Sequence, residues 1–335
     1  MYIYKGMLSM YKHMIGIIVL MMVVVGMSMA QSDDQATFPI TIEHDLGSTT
    51  ITAPAQRIVA LEWVYVENLL ALGIMPIGVA DIEGYNNWVK VAPQLDDSVI
   101  DVGTRQEPNL EVIAGLQPDL IIGAGFRLTA NYDALNAIAP TITFNSYPEG
   151  SHYDEMIKTF RIMGQIVDRQ ADAEAVLSDM NDYFADANQA LVDAGRAGET
   201  FILSQTFLSS EVPTFRLFTD NGLAVQVLEQ MGLSNAWDDA PQQYGFSTVD
   251  FEAFVGIQDT NFFYIAQPDY QTTLVESPLW VELPFVLSDR AYWLGGDVWL
   301  FGGPLSMQVL TDTVLDAMGV MTILDEQESI ITQGA

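Results

Sequence analysis

The stretch Val99–Arg127, VIDVGTRQEPNLEVIAGLQPDLIIGAGFR, decides the fold. VIDVG is a short apolar run closed by Gly103 and reads as a strand. TRQEP is polar and ends in a proline, which pushes Glu107 towards an extended conformation. Asn109 stands where a helix N-cap belongs. Leu110, Ile113 and Ala114 share one face of the helix that follows. Pro118 ends that helix, and DLIIG is a buried strand running into a glycine-containing loop. Strand, loop, helix, strand is the repeating unit of an open α/β sheet. It puts Arg105 and Arg127 in loops after strands, at the carboxyl ends where such sheets collect ligands.

Working towards the amino end, IMPIGVA is a strand and VYVENLLAL a helix closed by Gly73, a C′ residue. RIVAL (57–61) is a buried strand, and ITIEHDLGSTTITAP alternates about Leu46-Gly47 as a hairpin. IEGYNNWV, with Tyr85 and Trp88, reads as a loop. Towards the carboxyl end come a helix, NYDALNAIA, and a strand, TITFN. Strands alternating with helices predict a mainly parallel sheet. From Tyr153 the pattern turns helical for about 40 residues, a periodic run broken near Asp168-Arg169-Gln170 and ended at Gly195–Gly198. No sustained heptad with charged flanks appears, so this second helix reads as a structural strut.

A second α/β half follows. TFILSQTF and TFRLFT are strands and GLAVQVLEQMGL is a helix. VDFEAFVGIQ is a further helix and NFFYIAQ a strand. SPLWVELPFV is a short helix about Trp280, AYWLGGDVWLFGGPLS a strand with a glycine-rich loop, and MQVLTDTVLDAM the last helix. A faint repeat links the halves. Glu111, Gly115 and Gln117 precede DLIIG with the spacing that Glu252, Gly256 and Gln258 have before NFFYI. Two similar lobes, one on each side of a strut, place a ligand site at their interface.

The chain has 335 residues, half of them hydrophobic, enough for two cored domains. Lys5 and Lys12 lie ahead of residue 31 and all 44 acids behind it, leaving ten bases against 44 acids, a net of −34. Nucleic acid, which needs a basic footprint, is a poor partner. Such acidity suits a saline medium or simply a well-solvated surface. With no cysteine, disulfides, thiolate metal sites and a lipid-modified cysteine are excluded. Residues 1–30 carry a basic start, an apolar core of about 15 residues and Ser28-Met29-Ala30, the pattern of a secretory signal peptide. The alternative is a retained membrane anchor, although a spanning helix needs about 20 apolar residues.

Catalytic and metal motifs are missing. There is no GxSxG, no GxxxxGK[ST] and no GxGxxG after a strand. His13, His44 and His152 lack metal-ligand spacing, and no EF-hand loop appears. An enzyme is not expected; an extracellular hydrolase remains the alternative from another class. The arginines say more. Arg105, Arg127 and Arg216 fall at loops or strand ends facing the expected cleft, and guanidinium suits carboxylate, hydroxamate or catecholate oxygens. For Arg216 a surface salt bridge is the competing explanation. Tyr85, Trp88, Phe126, Tyr244 and Trp299 have flanks of Gly, Asn, Gln and Asp, which suggests cleft walls; core packing is the alternative.

DVGTRQEPNLE, with LEWVYVENLLALGIMPIGVAD upstream, resembles the ferric-siderophore-binding proteins of bacterial ABC importers, in particular the ferric-hydroxamate and ferric-dicitrate binders. The resemblance runs from about Ile40 to about Met318. It implies a class III periplasmic binding protein: two Rossmann-like α/β lobes joined by a single long helix, with small opening motions. The expected divisions are a signal peptide (1–30), an N-terminal lobe (38–168), an interlobe helix (169–195) and a C-terminal lobe (198–323). Arg105 takes the place of the arginine that contacts iron-bound oxygens in the hydroxamate binders, and Trp88, Tyr244 and Trp299 match pocket-lining positions. Phe126 stands where those proteins carry a tyrosine, and Arg127 has no counterpart there. Both departures favour a carboxylate-containing chelate, of citrate-hydroxamate or dicitrate type. The resemblance further implies iron held by the siderophore with no direct protein ligand, no intrinsic cofactor, and a monomer outside the cytoplasm. It also implies a permease dimer with a cytoplasmic ATPase, docked through Glu111 and Glu252; a first-turn glutamate also complements a helix dipole. Cobalamin or haem is the alternative ligand, haem wanting an axial group such as Tyr85 or Tyr244.

Overall fold

The computed structural model describes residues 36–257 and 260–320; the expected signal segment and the tail beyond Met321 lie outside them. The chain opens with an antiparallel hairpin, β1 (Ile40–His44) and β2 (Gly47–Ile51). Five strands follow, β3 (Ile58–Ala60), β4 (Gly78–Val79), β5 (Ile100–Asp101), β6 (Leu120–Ala124) and β7 (Thr141–Phe144). They form one sheet in the order β5-β4-β3-β6-β7, parallel throughout. The hairpin is tied to β7 by Thr49 Oγ1 donating to the Thr141 carbonyl at 2.8 Å and by His44 Nδ1 against Thr143 Oγ1 at 3.0 Å.

The second sheet holds β8 (Thr200–Ser209), β9 (Val212–Phe218), β10 (Ser234–Asn235), β11 (Phe246–Val249), β12 (Asn261–Ile265) and β13 (Ala291–Trp293). Its order is β11-β9-β8-β12-β13, with β10 beside β8. Unlike the first, this sheet is mixed. Only Ser210 and Glu211 separate β8 from β9, both with positive φ (51° and 68°). That is the backbone of a two-residue hairpin turn, too short for the crossover a parallel pair needs. β11 then adds antiparallel to β9. The internal repeat has a counterpart in space: β6 pairs parallel with β3, and β12 pairs parallel with β8.

Alternation along the strands divides the side chains between two faces. Ile58, Ala60, Leu120, Ile122, Phe201, Leu203, Phe263 and Ile265 enter one continuous core shared by both sheets. Val59, Leu61 and Ile121 face a separate cluster on the first sheet, and Ile202, Phe262 and Tyr264 another on the second. Sheets covered on both faces account for the apolar runs read in the sequence. Connecting the sheets in sequence is the helix Gln170–Asp193, whose buried residues Ala173, Leu177, Met180, Phe184, Ala187 and Leu191 form one stripe. At 1.5 Å per residue it is about 36 Å long. It is separated from the helix His152–Ile166 by Asp168, whose φ is 55°. The last helix, Pro304–Ala317, packs on this strut and on the helix Trp63–Ala71.

Several local expectations change, and SPLWVELPFV becomes the 3-10 turn Trp280–Glu282 and the short helix Pro284–Leu287. IEGYNNWV is not a loop but the helix Ile82–Trp88, with the Asp81 carboxylate accepting from the Gly84 N–H. Gly84 lies against the Asp81 carboxylate and the Trp63 ring, where a Cβ has no room. VDFEAFVGIQ yields only the 3-10 turn Phe251–Phe254, started by Asp250.

Candidate functional site

In the first sheet the chain begins at β3 and builds outward on both sides, so β3 and β6 flank the point where strand order reverses. Ligand crevices in open α/β sheets form at the carboxyl ends there. Glu62 follows β3 and caps the helix Trp63–Ala71, accepting the Trp63 N–H at 3.1 Å. Arg127 follows β6 on the short helix Gly125–Leu128. Arg105 arrives from β5 in a tight loop closed by a Gly103–Pro108 bridge and by the Asn109 N–H donating to the Val102 carbonyl at 2.7 Å. Asn109 caps the next helix as expected, accepting from the Glu111 and Val112 N–H groups.

The three side chains meet. Arg105 Nη1 donates to Glu62 Oε1 at 2.7 Å, and Arg127 Nε donates to Glu62 Oε2 at 2.5 Å. The Arg105 guanidinium lies 3.5 Å from the Trp63 ring centroid, a stacked cation–π contact. Its Nε is 3.7 Å from Asp81 Oδ2, is buried, and has no hydrogen-bond partner among the described residues. Arg127 lies over the Phe126 ring at 4.8 Å.

From the other sheet, Arg216 on β9 donates through Nη1 to Gln205 Oε1 at 2.8 Å. Its guanidinium sits between the faces of Phe207 and Phe246, at 5.0 and 4.9 Å. Burial pulls its pKa below the ordinary arginine value, with Tyr147 partly opposing. Tyr147 stands at the centre of the walls. Its ring is 5.5 Å from Phe126, 5.1 Å from Tyr244, 5.8 Å from His152 and 6.5 Å from Phe301. Burial pushes the Tyr147 hydroxyl up to about 12, Glu62 adding to the rise and the two arginines opposing it. Burial lowers the pKa of His152, which favours the neutral ring. Trp299 is 5.0 Å from Trp63 and 5.3 Å from Phe301.

These groups enclose a cavity of about 380 Å³, lined from both sheets, within the usual range for small-molecule sites. Arg105, Arg127, Phe126, Arg216, Tyr244 and Trp299 all line it. Two expected wall residues do not. Tyr85 is fully buried in the core, its hydroxyl without a hydrogen-bond partner among the described residues. Trp88 packs behind Trp299 at 6.2 Å. The cause is the helix Ile82–Trp88, which turns Tyr85 inward where a loop would have left it free. A haem ligand at Tyr85 is excluded by the same burial. Glu111 and Glu252 are exposed, outside the cavity lining. Glu62, Tyr147, His152 and Phe301 also line the cavity, and the sequence reading passed over them. Glu62 and Tyr147 each follow a strand, as Arg127 does, so the same strand-end logic would have found them. Among the described residues no group of three or more His, Cys, Asp or Glu could hold a metal ion, and no helix is long and apolar enough to cross a membrane.

Comparison with known proteins agrees with this fold. The chain is 32% identical over 267 residues to the iron(3+)-hydroxamate-binding protein FhuD of Escherichia coli, covering 78% of this chain and 87% of that protein. It is 29% identical over 282 residues to the Fe(3+)-citrate-binding protein YfmC of Bacillus subtilis, covering 82% and 84%. The structure is similar to the Fe3+-Desferal-bound siderophore-binding protein FhuD of Vibrio cholerae, with a TM-score of 0.73 and 28% identity over 78% of this chain and 97% of that one. Residues 58–298 match the periplasmic binding protein family as a whole. With two α/β lobes about a long helix and a cavity at their strand ends, the chain belongs to the periplasmic binding protein family.

Proposed function

We propose that this protein captures a ferric siderophore in the cleft between its two sheets and delivers it to the permease of an ABC importer. The observation that carries this reading is the convergence of three arginines, from both sheets, on one aromatic-walled cavity. Iron in a siderophore is already fully chelated. The protein needs donors for the chelating oxygens and flat walls for the linkers, and no metal ligand of its own. Arg105, Arg127 and Arg216 are the donors, and Phe126, Tyr147, Tyr244 and Trp299 the walls. The names of the relatives, binders of ferric hydroxamate and ferric citrate, support the ligand class. A citrate-hydroxamate or dicitrate chelate remains the favoured type, on the presence of Arg127.

The same reading divides the chain into a lobe at 38–168, the strut at 169–195 and a lobe at 198–323, with export directed by residues 1–30. It makes Glu111 and Glu252 the docking points for the permease, and the protein a monomer without an intrinsic cofactor. The test is a screen of ferric chelates by tryptophan quenching, since Trp299 lines the cleft and Trp63 and Trp88 pack against it. Submicromolar affinity for at least one ferric siderophore is expected. Binding no tighter than about millimolar, near 4 kcal/mol, for every chelate would remove the reading.

A further inference from the structure

The cleft already contains the anion that its two lobe-one arginines would seek in a ligand. Both oxygens of Glu62 are engaged, one by Arg105 and the Trp63 N–H, the other by Arg127. The carboxylate has little freedom to leave. Its side chain is 9% exposed and its backbone is fixed as the cap of a helix, while Arg105 is clamped on the Trp63 ring. The other glutamate on the lining, Glu155, has Lys158 at 3.0 Å. Arg216 differs: among the described residues it meets a neutral amide and two ring faces, with no carboxylate in salt-bridge range.

Resting on the siderophore reading, we propose that Glu62 sets the charge of the chelate the cleft accepts. It holds Arg105 and Arg127 in place while cancelling one of their charges, and Asp81, 3.7 Å from Arg105 Nε, offsets the other. A free ligand carboxylate brought to lobe one would then sit beside Glu62, and like charges brought together at a binding site cost affinity. Metal-bound hydroxamate oxygens share their charge with iron, so they accept from the remaining N–H groups without that repulsion. The uncompensated cation is Arg216, on the opposite wall. Of the two favoured types, the cleft therefore takes the citrate-hydroxamate, neutral or with one free anionic group, ahead of the strongly anionic ferric dicitrate.

The experiment compares ferric dicitrate, which is anionic, with ferric desferrioxamine, whose free ammonium makes it cationic. Affinities are measured by calorimetry for wild type, Glu62→Gln, Arg127→Gln and the surface control Glu174→Gln. Glu174 is paired with Arg161 away from the cleft lining. In Glu62→Gln the ratio of dicitrate to desferrioxamine affinity is expected to rise about tenfold or more, as for loss of one charge-assisted contact. In Arg127→Gln it is expected to fall. A purely structural role would change both affinities together and leave the ratio alone. A ratio within about twofold of wild type in Glu62→Gln, or an equal rise in Glu174→Gln, overturns the proposal. If Glu62→Gln melts below the assay temperature, Glu62→Ser, which keeps a helix cap, is read the same way: a rise of the ratio is expected, and a ratio within about twofold of wild type overturns the proposal. A wild type that binds no ferric chelate at all removes the siderophore reading, and this proposal with it.

Discussion

Glu67 and Ser306, 239 residues apart, are joined by a hydrogen bond from Ser306 Oγ to Glu67 Oε2 at 2.5 Å. Glu67 Oε1 accepts two more, from the Gly303 N–H at 2.6 Å and the Ser306 N–H at 3.1 Å. A side chain of the helix Trp63–Ala71 thus satisfies the first-turn donors of the helix Pro304–Ala317, which Gly303 leaves without a side-chain cap. Those donors would otherwise be orphaned in the core. The carboxyl is fully buried, and burial pushes its pKa up to about 7 against the three hydrogen bonds.

A folded-state pKa above the unfolded value makes folding take up a proton between the two. The associated stability is present below about pH 4.5, where Glu67 is protonated in both states, and is lost as pH rises through about 7. The span corresponds to about 3 kcal/mol. Glu67→Gln keeps the acceptor and can donate to Ser306, so it should flatten this component. Melting curves at pH 5 and pH 8 should show a smaller drop for Glu67→Gln than for wild type. Equal drops would mean that Glu67 does not titrate in this range.

The fold was legible in the sequence because its signals are local and repeated. The Gly103 stop, the Asn109 cap and the apolar strand DLIIG each forced one element, and the order of elements implied a sheet. Tyr85 was misplaced because Gly84, Asn86 and Asn87 look like loop residues. The Asp81 cap and the close approach of Gly84 to Trp63 overrode their weak helix propensity. Arg105 and Arg127 were found by their place after strands, and Glu62 was missed although it too follows one. Its partnership with both arginines spans 43 and 65 residues, and nothing in its own neighbours announces it.

Arg105 should be the most sensitive cleft position. Its removal deletes a donor at the strand ends and leaves Glu62 paired with Arg127 alone. A charge-assisted hydrogen bond contributes about 1.5–3 kcal/mol. Arg105→Ala should therefore weaken ferric-siderophore binding about ten- to a hundredfold at 1.4 kcal/mol per decade. Arg105→Lys should recover only part, because an ammonium neither forks nor stacks flat on Trp63. Calorimetry on the two variants separates these outcomes. Wild-type affinity in Arg105→Ala would take the arginine out of the site.

Tyr147 meets rings from both lobes and should act chiefly through its shape. Aromatic pairs contribute about 0.5–1.5 kcal/mol each beyond area burial. Tyr147→Ala should weaken binding by roughly tenfold or more, whereas Tyr147→Phe should stay near wild type if the hydroxyl makes no ligand contact. A loss in Tyr147→Phe as large as in Tyr147→Ala would instead assign the hydroxyl to the ligand, facing Arg105 and Arg127.

Glu111 and Glu252 offer a test that leaves the cleft untouched. Both are exposed, and each lies in the first turn of its element, after Asn109 and Asp250 respectively. Those elements precede β6 and β12, the strands that occupy matching places in the two sheets. Two acids at corresponding points on paired lobes suit a two-fold permease with basic sockets. Glu111 also sits where a helix dipole favours negative charge, an effect of about 0.3–1 kcal/mol, so a small loss of stability on its substitution is expected and carries no information. The informative comparison is between binding and transport. The double variant Glu111→Ala, Glu252→Ala should bind ferric siderophore with wild-type affinity by calorimetry and fail to support uptake of labelled iron in cells or permease vesicles. Single variants should be intermediate, because one of the two proposed docking points remains. Wild-type uptake by the double variant would show that the permease grips the protein elsewhere, and a matching loss of affinity would place these glutamates in the folding of the cleft.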